Sequence, residues 1–359
     1  MPAFSPPDML RLLTLAALAL MLALPARAQT LPAGVDSLAR AFLAQTNAPS
    51  LVVAVTRGGV RTVVGYGLVD DAAPDARTRY EIGSVTKTFT ALALAQAVGR
   101  GEVALGTPVQ ALLPDSVRLA VVGRPVTLGD LASHASGLPR LPAPFTPASI
   151  LDPYADYSPA DLMRFAATVR PDSAGAAYSY SNVGAGMLAW ALARRAGLGV
   201  EALLRRDVIE PLGLTSTTTS GPVAAPQTGS GTPVAPWSWT DALAGAGALR
   251  SNAADLLTLA EAIARPDRTP ALADAIRLAT APRFSATGRF RVGLAWHLLP
   301  EAEGPVQAVL HNGATFGSVA FVGVLPGADV GVVLLANSGA AGPLDALAGQ
   351  LLRALTPAP

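Results

Sequence analysis

Between Ser84 and Val98 the chain reads as a helix that is apolar on nearly every side, stopped by Gly99 and Gly101. Such a helix has no face to give to solvent, so the rest of the chain has to cover it. With 359 residues, 51% of them hydrophobic and 14% charged, there is material for a substantial core in one large domain or two lobes. This composition is not that of a disordered chain. The buried helix also carries the single lysine of the sequence, Lys87, whereas the other 25 of the 26 basic residues are arginine. Arginine keeps its proton near neutral pH, but a desolvated lysine can lose it and act as a base. A coding bias with one chance survivor also explains the count. It does not explain the position, three residues after a hydroxyl in Ser84-Val85-Thr86-Lys87.

The N-terminal part predicts a helix over Val35–Thr46, then strands over Leu51–Thr56 and Val60–Gly67 joined by Arg57-Gly58-Gly59, a hairpin signature. From Gly101 to about Pro236 the character changes. Helical patches at Asp161–Thr168, Gly184–Ala196 and Glu201–Ile209 are linked by long Pro/Gly/Ser/Thr loops. Strand patterns return at Arg289–Leu298, Val306–Leu310, Ser318–Leu325 and Val330–Ala336, and Pro343–Leu355 closes the chain as a helix. No internal repeat is visible. The expected organisation is α+β: one sheet built from about 29–100 and 237–359, with a mostly helical lobe of about 101–236 inserted.

Residues 1–28 have the pattern of a cleaved export signal. Arg11 precedes an apolar run from Leu12 to Leu24, and Ala26-Arg27-Ala28 gives the small-x-small cleavage site. The run is about 13 residues, short of the ~20 of a spanning helix, so no retained membrane span is expected. Met9 is an alternative start, because Met9-Leu10-Arg11 makes the more typical leading segment. The expected location is periplasmic or secreted. Cleavage removes Arg11, Arg27 and Asp8 and leaves 24 basic and 24 acidic residues. That balance argues against nucleic acid as a partner. The absence of cysteine excludes a disulfide scaffold, a thiolate metal site and a lipid-modified cysteine.

On a helix, positions i and i+3 share a face with Cβ atoms about 5–6 Å apart, so Lys87 can reach the Ser84 hydroxyl. Ser84 falls in the first turn, where unpaired N–H groups and the helix dipole favour developing negative charge. Burial would bring the lysine toward the neutral amine that accepts a proton. A lone Ser-x-x-Lys equally fits an N-cap followed by an exposed first-turn lysine. Two further motifs accompany it. Tyr180-Ser181-Asn182 lies in a loop just before a helix starting near Val183, and His311-Asn312-Gly313 sits between two strands. Each alone is weak, since Asn182 also suits a helix cap and His311 a strand end.

In this order the three motifs resemble the serine β-lactamase and penicillin-binding-protein superfamily, in its class C β-lactamase and DD-carboxypeptidase branch. The surroundings agree: Glu81-Ile82-Gly83, the stretch Leu131-Ala132-Ser133-His134-Ala135-Ser136-Gly137-Leu138-Pro139, Pro211-Leu212-Gly213-Leu214, and Asn337 after the last strand. The resemblance covers nearly all of the chain beyond the export signal. It implies an antiparallel sheet flanked by helices, with the site between sheet and helical lobe, and no cofactor. It also implies roles. Ser84 is the nucleophile, and Lys87 with Tyr180 moves its proton to the leaving nitrogen. Asn182 binds the substrate's side-chain amide and steadies Lys87. The N–H groups of Ser84 and Ala314, beyond Gly313, form the oxyanion hole, and His311 lines the sheet side near the substrate carboxylate.

The sequence departs from the β-lactamase pattern in one place, with His-Asn-Gly where Lys-Thr-Gly is usual. A partly charged His311 resembles DD-carboxypeptidases with His-Thr-Gly more, and predicts a pH profile that follows an imidazole. His134 is expected only to support the turn before Gly137, and His297 to have no partner. Arg289 and Arg291 are candidates for a carboxylate clamp. The implied substrates are small molecules or peptidoglycan peptides with D-Ala-D-Ala-type or β-lactam amides. A small-ester esterase, a D-amino-acid amidase, and a binding protein that acylates without turnover, either a penicillin sensor or a cell-wall binding module, remain open alternatives. No G-x-S-x-G elbow, Walker A loop or H-E-x-x-H helix occurs, and three dispersed histidines without cysteine make a zinc site unexpected. Gly184-Ala185-Gly186-Met187-Leu188-Ala189 imitates a dinucleotide-binding pattern but lacks the preceding strand.

Overall fold

The computed structural model describes residues 31–286, 290–299 and 307–356. The export signal of residues 1–28, the Met9 alternative and Arg289 lie outside the described residues. In chain order the elements are α1 (Val35–Thr46), β1 (Ser50–Arg57), β2 (Val60–Gly67), β3 (Arg79–Glu81), α2 (Thr86–Gly99), α3 (Leu128–Ala132), α4 (Pro159–Thr168), α5 (Asn182–Arg195), α6 (Val200–Leu204), α7 (Ala244–Gly247), β4 (Arg250–Asn252), α8 (Ala253–Ala264), α9 (Ala273–Thr280), β5 (Phe284–Ala286), β6 (Phe290–Val292), β7 (His297–Leu299), β8 (Ala308–Ala314), β9 (Val319–Leu325), β10 (Val330–Ala336) and α10 (Ala341–Leu355).

An eight-stranded antiparallel sheet runs β2-β1-β10-β9-β8-β7-β6-β5, and β3 pairs with β4 separately. The early hairpin therefore lies beside the last strand, as the strand-rich ends of the sequence imply. The stretch 101–236 contributes no strand to either sheet. The central strands are buried throughout because both faces are covered, and the period of two assigns each face. Leu51, Val53, Val55, Val332 and Leu334 pack with Phe42 of α1 and Leu344, Leu347 and Leu351 of α10. Val52, Ala54, Val322, Val324, Val333 and Leu335 belong to the opposite core with α2 and α8. In α2, Phe89, Leu92 and Leu94 have no exposure, and each such side chain contributes about 1.5–3 kcal/mol of burial.

Two expectations change. The run Arg289–Leu298 is not one strand but the short strands β6 and β7, paired as a hairpin with Val292 opposite His297. Between them Ala295 has φ 62°, outside the extended region that a continuous strand requires. The helix expected over Glu201–Ile209 is α6 followed by a π-helical turn over Arg205–Ile209. α8 and α9 have no counterpart in the sequence reading.

Candidate active site

The nucleophile candidate is held by a 3-10 turn, Gly83–Val85, ahead of α2 rather than by the α-helix itself. Two glycines explain how this turn meets the end of β8. Gly83 has φ 45°, and a Cβ there would lie 2.7 Å from the Ala314 nitrogen. A Cβ on Gly313 would lie 2.0 Å from the Ile82 carbonyl oxygen and 2.8 Å from the Ser84 nitrogen. Only with both positions bare can the Ser84 and Ala314 backbones approach this closely.

Lys87 reaches back along α2 so that its Nζ is 2.9 Å from Ser84 Oγ, and it donates to the Ala246 carbonyl at 2.6 Å. The carbonyl is delivered by α7, whose Ala-Gly-Ala-Gly sequence packs flat on α2 and α5: a Cβ on Gly245 would strike Ala189 at 2.0 Å. Neighbouring hydroxyls of α2 hold the same segment, with Thr90 donating to the Gly245 carbonyl at 2.8 Å and Thr86 accepting from the Leu249 N–H at 3.1 Å. Lys87 is 2% exposed and has no carboxylate partner among the described residues. Burial, reinforced by the positive charge of Arg140, holds its amine well below the usual lysine range. The arrangement gives a base without a permanent charge beside a hydroxyl.

Tyr180 brings its ring centroid within 5.0 Å of Lys87 Nζ. Burial pushes its phenol up against an opposing hydrogen bond with Ser84, so it stays protonated near neutral pH. The loop carrying it is fixed by His134, whose role exceeds the turn support expected of it. His134, itself at φ 56°, stacks on Tyr180 at 4.3 Å and accepts the Ser181 N–H on Nδ1 at 3.1 Å. Ser181, not Asn182, caps α5, accepting the Gly184 N–H at 2.9 Å. Asn182 is thus the first helical residue rather than a loop residue. Its amide donates to Tyr154 at 3.4 Å, and its buried Oδ1 has no partner among the described residues.

His311 on β8 is fully buried. Its Nδ1 lies 2.5 Å from the Asn312 carbonyl oxygen, and its Nε2 has no partner among the described residues. Burial holds the ring well below the usual histidine range, so the partial charge expected near neutrality is corrected to a neutral imidazole. His297 is not without partners either. It stacks on His311 at 5.1 Å and meets Tyr178 Oη at 3.4 Å, and burial pushes it down to about 4. Spacing along the sequence gives no sign of these contacts, because β7 and β8 must pair before the two rings face each other.

The cavity over Ser84 is about 100 Å³ and is lined by Gly83, Ser84, Arg140, Tyr154, Asn182, Trp237, Trp239, Ala246, Gly247 and Ala314. One wall is aromatic: Tyr154 stacks on Trp239 at 4.1 Å, and Trp237 meets Phe316 edge-on at 5.2 Å. Glu81 braces this wall from beneath, accepting the Trp237 N–H at 2.7 Å and the Thr315 hydroxyl at 3.0 Å. Asn337 ties strand to loop, accepting from the Ser50 N–H at 3.0 Å and donating to the Ala225 carbonyl at 2.9 Å. Of the suggested clamps, Arg291 is half-buried on β6 and does not line this cavity. The structure therefore gathers Ser84, Lys87, Tyr180, Asn182, Gly313 and Ala314 around one cleft, with His311 on the adjoining strand.

The sequence profile of the Beta-lactamase family matches residues 35–356. A protein named Beta-lactamase from Escherichia coli K12 is 28% identical over 88% of this chain and 91% of its own length. The D-alanyl-D-alanine-carboxypeptidase/endopeptidase AmpH of the same organism is 28% identical over 51% of this chain and 49% of its own. Among solved structures, a class C beta lactamase from Rhodobacter sphaeroides superimposes with a TM-score of 0.76 at 24% identity, covering 89% of this chain and 98% of that one. A beta-lactamase/D-alanine carboxypeptidase from Pseudomonas syringae gives 0.77 at 22% identity, covering 90% and 100%.

Proposed function

Since the chain belongs to the beta-lactamase family and is a serine hydrolase of that kind, we propose that it works through an acyl-enzyme on Ser84, with Lys87 and Tyr180 as its proton carriers. The observation that carries this reading is the placement of Lys87 Nζ, buried and without a counter-ion among the described residues, 2.9 Å from Ser84 Oγ. The neutral amine accepts the Ser84 proton as Oγ bonds to the substrate carbonyl carbon. The resulting oxyanion accepts the N–H groups of Ser84 and Ala314, each worth about 3–4 kcal/mol in comparable sites. The tetrahedral adduct then collapses and the carbon–nitrogen bond breaks. The proton passes from Lys87 through the Tyr180 hydroxyl to the leaving nitrogen. Water attacks the ester in the second half, giving its proton back along the same route, and Ser84 is regenerated. Asn182 Oδ1, buried and unpartnered, suits the N–H of a substrate amide.

The proposed substrates are small β-lactams or D-Ala-D-Ala-type peptide amides. The neutral His311 favours the peptidase side, because it lacks the fixed charge of the usual lysine. The proposed location is periplasmic or secreted after removal of residues 1–28, with no retained span and no nucleic-acid partner; no described helix is long and apolar enough to cross a membrane. Steady-state rates on nitrocefin, a D-Ala-D-Ala peptide and p-nitrophenyl butyrate, with intact-mass analysis after penicillin, test the reading. A Ser84-linked adduct and loss of turnover in Ser84→Ala support it. Undiminished turnover in Ser84→Ala overturns it.

A further inference from the structure

We propose that Glu81 is a positioning residue for acyl transfer, its buried carboxylate holding the Ala314 N–H and the Trp237 wall in register with Ser84. The inference rests on the Ser84 acyl-transfer reading and adds to it the residue that sets the spacing of the proposed oxyanion site. Glu81 lies on β3, three residues before Ser84, and is 4% exposed. It does not line the cavity over Ser84, so it acts through its neighbours. Each carboxylate oxygen serves a different wall. Oε1 accepts the N–H of Trp237, which lines the cavity, and Oε2 accepts the hydroxyl of Thr315, the residue after Ala314.

A hydroxyl has one proton to give and two lone pairs to fill. Thr315 Oγ1 accepts the Ser318 N–H at 3.0 Å and the Gly317 N–H at 3.3 Å, and the Thr315 N–H donates to the Ser318 carbonyl at 2.9 Å. Both lone pairs are thus used inside the turn from β8 to β9, which leaves the hydroxyl proton for Glu81. Strand β8 ends at Ala314, so this bond ties the end of the strand to the segment that carries Ser84. Trp237 is gripped from both sides. Arg250, opposite Glu81 in the β3–β4 pair, donates to the Trp237 carbonyl at 3.2 Å, while Glu81 takes the Trp237 N–H at 2.7 Å. The Trp237 and Phe316 rings then meet edge-on, one from each wall. A carboxylate accepts at both ends, whereas a glutamine accepts at one. Its amide NH2 would face either the Trp237 N–H or the Thr315 hydroxyl proton, donor against donor. Burial pushes the Glu81 carboxyl up, and the same two hydrogen bonds oppose that rise.

The test compares Glu81→Gln, Glu81→Asp and Thr315→Val with the wild type, using p-nitrophenyl butyrate and phenylboronic acid. Ser84 Oγ bonds to the boron as its proton passes to Lys87, and the tetrahedral anion that results samples the oxyanion site. In Glu81→Gln both kcat and kcat/KM should fall by about tenfold to a hundredfold with KM nearly unchanged, since a misplacement of about 1 Å can cost that much. The boronate Ki should rise by a similar factor. Thr315→Val cuts the same link from its other end and leaves Trp237 held. It should show the same paired loss, and it carries the test where Glu81→Gln does not fold. Glu81→Asp keeps two accepting oxygens and should recover part of what glutamine loses. A fall in urea stability with kcat and boronate binding intact, or a loss confined to KM, overturns the proposal. Ester turnover that persists in Ser84→Ala, or a wild type that neither cleaves the ester nor binds the boronate, instead brings down the acyl-transfer reading beneath it.

Discussion

Lys87 donates to the carbonyl of Ala246 at 2.6 Å, and among the described residues no carboxylate stands near enough to pair with it. An ammonium there would keep one carbonyl dipole in exchange for its hydration shell. The neutral amine avoids that penalty.

Stability should carry the mark of this burial. The folded pKa lies below the unfolded value of 10.5, so between the two the unfolded chain binds a proton that the folded chain does not. Stability from this residue therefore rises with pH across that window, by about 1.4 kcal/mol per unit. Urea unfolding at a series of pH values should show the wild type gaining on Lys87→Met as pH climbs toward 10.5. Parallel curves would contradict the neutral amine.

The catalytic pH profile should ignore the imidazoles. With burial holding His311 and His297 both neutral at neutral pH, the proposed mechanism assigns the acid limb of kcat/KM to Lys87. His311→Gln is expected to keep that limb at the same midpoint, whatever it does to the plateau. Disappearance of the limb in His311→Gln would return the titration to histidine.

Gly313→Ala should separate the proposed oxyanion hole from the fold. The new methyl would lie 2.0 Å from the Ile82 carbonyl oxygen, so the Ser84 turn must move relative to Ala314. A kcat loss of about 10²–10³-fold is expected, as for a removed oxyanion donor. Overpacking should also lower unfolding stability by about 1–3 kcal/mol. Full activity in this variant would mean that the approach of the two backbones is dispensable.

His134→Phe keeps a ring beside Tyr180 but removes the acceptor of the Ser181 N–H. Leaving that buried donor unpaired should destabilise the protein by about 1–3 kcal/mol. The loss of kcat on the butyrate ester should exceed any change in KM, because Tyr180 is displaced rather than a substrate contact removed. A KM effect with kcat intact would assign His134 to binding instead.

Local pattern made some of this legible and long-range pairing hid the rest. Val35–Thr46, Val60–Gly67 and Val330–Ala336 match the structure residue for residue, because each has one clear period bounded by turn residues. The Ser84–Lys87 spacing survives the change from an α-helical to a 3-10 turn, since both bring i and i+3 to one side. By contrast, α7 is four small residues without an amphipathic face, yet it supplies the only backbone partner of the Lys87 side chain among the described contacts. Arg140 reads as one arginine among many until Tyr180 is folded against it. The aromatic wall joins Tyr154, Trp237, Trp239 and Phe316 across wide sequence separations, which no periodicity announces.

Because the sequence holds one lysine, labelling that amino acid with carbon-13 gives a protein with a single side-chain ε-carbon signal to titrate. Following its shift against pH in the folded protein reads the Lys87 amine directly. A midpoint well below 10.5 is expected, with the neutral amine present where the enzyme is active. A signal that stays ammonium-like throughout the active range, titrating only near 10.5, would contradict it.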